Sequence, residues 1–143
     1  EIVHAAMRGE KFTTIFINNG IYGMTGGQMA PTTLIGQRAT TAPQGRCKEL
    51  HGEPMRVSEM LATLGGLVYA ERVCVTDVPN INKAKKALKK AFTKQLNNEG
   101  FTFVEVLCAC PTNWGMTTLA ANEWVKTNMA EYYPLGVIKE VTA

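Results

Sequence analysis

The segment Phe12–Pro31, FTTIFINNGIYGMTGGQMAP, constrains this chain more than any other. Phe12 to Ile17 are β-branched or aromatic, with no charge after Lys11, and read as a short buried β-strand. Asn18 and Asn19 end it, since asparagine disfavours strand pairing and accepts turn geometries. Gly20, Gly23, Gly26 and Gly27 then let the backbone take positive φ and approach a ligand with no Cβ in the way. Two further strands are expected, Arg72–Thr76 and Phe101–Cys108, with helices between them. Strands alternating with helices predict an α/β fold, a parallel sheet with flanking helices and right-handed crossovers. Such sheets bind ligands at the carboxyl ends of their strands, which places the candidate site at Asn18–Thr25.

The glycine loop excludes two familiar phosphate motifs. It has no GxxxxGK[ST] and no GxG. From the residues alone, a ligand-free turn rich in Asn and Gly stays open beside a binding loop. At 143 residues, 45% apolar and 19% charged, the chain is one soluble domain's worth of sequence. A net charge of +3 says little about partners, and four cysteines without CxxC suggest no disulfide framework. There is no apolar run of the roughly twenty residues that span a bilayer. The expected location is cytoplasmic, with no membrane association.

Around this centre, Glu1–Arg8 reads as a helix, and His4 on it as a packed or surface group. Met29–Val57 reads as a long irregular loop of the kind that is functional or mobile. In it, Arg38 and Arg46 are candidate carboxylate or diphosphate contacts beside the solvated alternative. Cys47 and His51 are too few for a metal site. A helix capped by Ser58 ends at Gly65–Gly66, and a longer one runs from Asn80 to about Asn98. The longer helix should bury Ile81, Ala84, Leu88, Ala91 and Phe92 and expose Lys83, Lys86, Lys90 and Lys94. Four lysines without aromatics are a weak basis for nucleic-acid binding, so no nucleic-acid partner is expected. Asp77 is either a loop cap or a group facing the ligand edge. A last helix opens at Thr117 and ends near Tyr133–Pro134, followed by a short extended tail, Leu135–Val141, packed on the domain or on a neighbouring subunit.

The run Asn18–Thr33, with YGMTGGQ and Pro31-Thr-Thr, resembles the thiamine-diphosphate-binding β subunit of the 2-oxoacid:ferredoxin oxidoreductases, and the resemblance extends through Cys110-Pro-Thr-Asn-Trp114. The Asn-Trp-Gly form is most similar to the 2-oxoisovalerate (branched-chain) type. The resemblance implies that residues 1–143 are a thiamine-diphosphate-binding domain lacking its N-terminal part. It implies Mg²⁺ ligation by the Asn19 side chain and the Ile21 carbonyl, with Gly23, Met24 and Thr25 contacting thiamine diphosphate. Cys110 takes the place of the last ligand of a [4Fe–4S] cluster in the complete protein, and Cys47, Cys74 and Cys108 are structural. The implied reaction is oxidative decarboxylation of a 2-oxoacid to acyl-CoA, with electrons passed to ferredoxin. The implied partners are the α subunit, with γ and δ subunits as further candidates, ferredoxin, the 2-oxoacid and coenzyme A.

The family's Gly-Asp-Gly aspartate, its remaining cluster cysteines and the activating glutamate of the α subunit have no counterpart here, so no catalytic residue is assigned. The chain is expected to be an enzyme fragment, inactive alone and weak in cofactor binding. Two other readings stay open: a thiamine-diphosphate decarboxylase or synthase without Fe–S chemistry, and a non-catalytic α/β interaction module.

Overall fold

The computed structural model describes residues 1–141. Its centre is a four-stranded sheet of order β1-β5-β4-β6, built from β1 (Thr13–Asn18), β4 (Leu67–Cys74), β5 (Phe101–Leu107) and β6 (Gly136–Glu140). β1, β5 and β4 are parallel, as the helix-separated strands predict, and β6 closes one edge antiparallel to β4. The tail expected to be merely extended is thus an edge strand. A second, two-stranded piece pairs β2 (Ile21–Tyr22) with β3 (Gln28–Met29) and brackets the glycine loop.

Helix α4 (Val78–Leu96) covers one face of the sheet, packing Ala84, Ala87 and Ala91 on Tyr69, Val73, Val104 and Val106. Helices α1 (Ile2–Arg8) and α3 (Val57–Ala62) cover the other, where Ala6 and Leu61 meet Ala70, Phe101 and Phe103. The final helical run comprises α6 (Thr118–Trp124), a π-helical segment (Val125–Met129) and α7 (Ala130–Tyr132). It buries Val125, Met129 and Tyr133 against Leu107 and Cys74 at the carboxyl ends of the strands.

Several local expectations are corrected. β1 is an edge strand rather than a buried one: Ile15 and Ile17 are 41% and 56% exposed, because no strand lies beyond it among the described residues. Ser58 is not a cap but a buried residue inside α3. Asp77, not Asn80, begins α4, accepting the Asn80 N–H at 3.0 Å as an N-cap does. Phe92 is exposed, and Lys94 turns inward to pair with Glu99 at 2.7 Å. With Lys90 also paired to Glu140, the lysine stripe is partly neutralised. The Met29–Val57 segment contains a short helix, α2 (Lys48–His51), and is pinned by buried Arg46. The Arg46 guanidinium donates to the carbonyls of Ala30, Pro31, Thr33, His51, Gly52 and Glu53. Its donors are consumed by the backbone, so it is not a ligand contact.

A buried ionic network joins these layers. Glu105, in the middle of β5, is fully buried. Its carboxylate accepts from Asn18 Nδ2 at 2.7 Å, from Arg72 Nε at 2.8 Å and from the Ser58 hydroxyl. Arg72, equally buried on β4, also binds Glu59 through both terminal nitrogens, at 2.9 and 2.5 Å, and the Pro134 carbonyl at 3.1 Å. The Tyr133 ring lies 5.2 Å from its guanidinium carbon. Such a pair is stable only when its remaining donors and acceptors are satisfied, as they are here.

Removing one partner strands a charge in the core. Arg72→Met should therefore destabilise the chain by about 3–5 kcal/mol in denaturant titrations. A loss below about 1 kcal/mol would mean that the network carries little of the fold. Glu59 adds a pH dependence. Burial opposes its ionisation, but the Arg72 hydrogen bonds, a backbone N–H and the Arg72 and Arg56 charges together hold its carboxyl below the ordinary value. A folded-state pKa below the unfolded one gives stability that is present above about pH 4.3 and is lost as pH falls through the folded value. Acid titration should show this loss, and Glu59→Gln should flatten it.

Candidate functional site

The site lies where β1 and β5 end side by side, with Asn18 opposite Leu107 in the register. The two asparagines have different tasks. Asn18 is buried: its amide nitrogen binds Glu105, and its oxygen accepts the Gly20 N–H at 3.1 Å. Asn19 is only partly buried, and its Oδ1 accepts the Ile21 N–H at 3.2 Å, an Asx turn. Gly20 takes φ 68° inside this turn, a conformation that favours glycine. The Asn19 carboxamide oxygen and the Ile21 main chain are thereby held together, and the oxygen keeps a further lone pair. A groove of about 410 Å³ runs beside them, lined by Asn18, Asn19, Ile21 and Tyr22 and by the open side of β1.

Beyond Tyr22 the loop is fitted to the turn after β5. Helix α5 (Pro111–Trp114) follows Cys110, and Asn113 on it reaches back across the loop. Its Nδ2 donates to the Gly23 carbonyl at 3.1 Å and to Cys110 Sγ at 3.3 Å. A Cβ on Gly23 would lie 3.3 Å from Cys110 Sγ, 3.4 Å from Asn113 Nδ2 and 3.5 Å from Asn19 Nδ2. A Cβ on Gly27, at φ 81°, would sit 3.1 Å from Asn113 Oδ1. These glycines allow the loop to press against α5, bringing Asn19, Gly23, Cys110 and Asn113 together. Asn113 was not anticipated from sequence. Its place three residues after Cys110, on the same side of one helical turn, was the available signal.

The other candidates are distributed differently. Met24 stands fully exposed at the loop tip. The Thr25 hydroxyl donates to Gln28 Oε1 at 2.6 Å, and Gln28 Nε2 donates back to the Thr25 carbonyl at 2.7 Å. Arg38 is exposed, with Nε bonded to the Pro43 carbonyl at 2.8 Å. His4 is exposed on α1. His51 Nδ1 accepts the Cys47 N–H at 3.0 Å, so that pair is a local turn. Cys108, two residues before Cys110, has its thiol pushed up to about 11 by burial and by Cys110, and stays protonated at neutral pH. Among the described residues no three His, Cys, Asp or Glu side chains group as a metal site. No helix among them is long and apolar enough to cross a membrane.

The donor set suits a diphosphate held through Mg²⁺. That ion takes about six oxygen ligands, several of them phosphate or water. Asn19 Oδ1 and the Ile21 carbonyl are oxygens of the kind Mg²⁺ takes, and both residues line the groove. The cramped position of Gly23 is what a backbone pressed close to its neighbours requires.

Known proteins match this chain along most of its length. The family model described as thiamine pyrophosphate enzyme, C-terminal TPP binding domain, matches residues 1–106. The ketoisovalerate oxidoreductase subunit VorA of Methanothermobacter marburgensis is 45% identical over 94% of this chain and 28% of its own length. VorA of Methanothermobacter thermautotrophicus is 41% identical over 100% of the chain and 30% of its own. The 2-oxoglutarate synthase subunit KorB of Methanothermobacter marburgensis is 37% identical over 80% of the chain and 36% of its own length. The chain thus spans less than two thirds of the length of each of these relatives. With its parallel sheet, its Asn-Asn turn and most of its residues matched, the chain belongs to the thiamine pyrophosphate enzyme family, as a C-terminal TPP-binding domain.

Proposed function

We propose that this chain is the thiamine-diphosphate-binding part of a 2-oxoacid:ferredoxin oxidoreductase β subunit, of the branched-chain (ketoisovalerate) type. One observation carries the reading. The two motifs of the sequence, NNGIYGMTGGQ and CPTNW, lie far apart in the chain, yet they interlock at adjacent strand ends through Gly23, Cys110 and Asn113. The names of the VorA relatives favour a ketoisovalerate substrate over other 2-oxoacids.

In this reading Asn19 Oδ1 and the Ile21 carbonyl are Mg²⁺ ligands, and the loop of Gly23, Met24 and Thr25 receives the diphosphate. Bound thiamine diphosphate supplies the carbanion-stabilising chemistry that decarboxylates a 2-oxoacid. The chain's own work is positional. Glu105 fixes Asn18, Asn18 fixes the Gly20 N–H, and the Asx turn then presents the next carboxamide oxygen. The Thr25 hydroxyl, which now donates to Gln28, would change partner to reach a diphosphate oxygen. Met24, exposed at the loop tip, is free to lie against the cofactor.

In this reading Cys110 gives one thiolate to a [4Fe–4S] cluster of the complete protein. Ferredoxin, coenzyme A and an α subunit complete the reaction in a cytoplasmic complex.

Three variants of the assembled oxidoreductase test this reading. Asn19→Ala should remove bound Mg²⁺ and thiamine diphosphate together and lower turnover at least about a hundredfold, a loss of roughly 2.7 kcal/mol or more in transition-state stabilisation. Unchanged cofactor content and turnover would point instead to an interaction module. Gly23→Ala should leave the fold intact but weaken cofactor binding, because the new methyl group crowds Cys110 and Asn113. Cys110→Ser should lose Fe–S electron-paramagnetic-resonance intensity while retaining thiamine diphosphate. Electron transfer unaffected by that change would favour the decarboxylase or synthase reading.

A further inference from the structure

The carboxamide of Asn113 reaches two groups with different chemistry. Its nitrogen lies 3.1 Å from the Gly23 carbonyl oxygen and 3.3 Å from Cys110 Sγ. A primary amide has one proton for each. The orientation follows from the same neighbours, because the flipped amide would set Oδ1 against a carbonyl oxygen. Oδ1 lies on the side of Gly27, where an added Cβ would come within 3.1 Å of it.

An N–H directed at sulfur does little for a neutral thiol, which is a weak acceptor. It does more for a thiolate, because a hydrogen bond to a charged acceptor is roughly twice as strong. Cys110 is a free cysteine and is partly exposed. A thiolate bonded to iron keeps lone pairs that accept such an N–H, so the Asn113 donor fits a ligated sulfur. Hydrogen bonds to the sulfurs are among the groups that set the potential of an iron–sulfur cluster. They stabilise the reduced state, which carries more negative charge, and so raise the potential.

We propose that Asn113 is a positioning residue with two effects: it raises the potential of the cluster that Cys110 ligates, and it holds Gly23 in place for the diphosphate. This rests on the reading of Cys110 as a cluster ligand. The position of the glycine loop and the charge at the cysteine sulfur are then set by one side chain.

Redox titration of the assembled oxidoreductase, followed by electron paramagnetic resonance, tests this. The signal to follow is the one that Cys110→Ser removes. Asn113→Leu keeps the side chain's bulk without its N–H groups and should move that signal to more negative potential. A tenfold change in the one-electron equilibrium is about 59 mV. Thiamine diphosphate should bind this variant several-fold more weakly. Asn113→Asp, of nearly the same shape but with an acceptor facing the sulfur, should move the potential further the same way. Retained subunit assembly checks that each variant is folded. Loosened packing alone would admit water, which favours the more charged reduced state and shifts the potential upward. With ¹⁵N in the asparagine side chains, the reduced cluster should show a nitrogen hyperfine coupling that Asn113→Leu abolishes. A potential unchanged or raised in Asn113→Leu would overturn the proposal, as would a wild-type cluster without that coupling. A full set of cluster signals in Cys110→Ser would instead remove the reading of Cys110, and the proposal with it.

Discussion

The structure depends on one buried carboxylate. Glu105 sits in a strand whose every residue is buried, between β1 and β4, and is shared by Asn18, Arg72 and Ser58. An unpaired carboxylate there would be prohibitively costly, so its partners are obligatory. Arg72 extends the network to Glu59 on α3 and to the chain turn at Pro134, which ties the covering helix and the final helical run to the sheet. Asn18 extends it to the site. The position of Asn19 thus follows from the protein's interior rather than from a free loop. Removing this network would be expected to loosen the site before it exposed the apolar core.

A second constraint is steric. The glycine loop and the turn after β5 come from distant parts of the chain and meet so closely that a Cβ at Gly23 would lie 3.3 Å from Cys110 Sγ. Asn113 locks them, donating to both the Gly23 carbonyl and Cys110 Sγ. The cofactor loop and the proposed cluster cysteine are therefore mechanically joined. Arg46 performs the parallel task for Met29–Val57, gathering backbone carbonyls that would otherwise face a dry interior.

The architecture was largely legible in the sequence, because strand and helix periodicities differ and Asn-Gly punctuation marks strand ends. β5, the glycine loop and the body of α4 follow from those signals. What stayed hidden was long-range pairing. Glu105 within FTFVEVL reads as an outward-facing residue until Arg72 is known to lie opposite it in the register. Arg46 in a polar loop looks like a solvent or ligand contact, and only the folded backbone shows its carbonyl partners. β1 looked buried because its composition is that of an inner strand, whereas the described residues leave one side of it unpaired. The antiparallel β6 was missed because GVIKE, with its two charged residues, carries a weak strand pattern that pairing with β4 rescues.

The central claim is that Asn19 and Ile21 hold the divalent ion that anchors the diphosphate. Electron–nuclear double resonance on the assembled protein tests it most directly, with Mn²⁺ in place of Mg²⁺, thiamine diphosphate bound, and ¹³C in the asparagine carboxamide and isoleucine carbonyl carbons. The account predicts ¹³C couplings from both labels, of the size expected for carbons one bond beyond a coordinating oxygen. Phosphorus coupling from the diphosphate with no coupling from either label would contradict it.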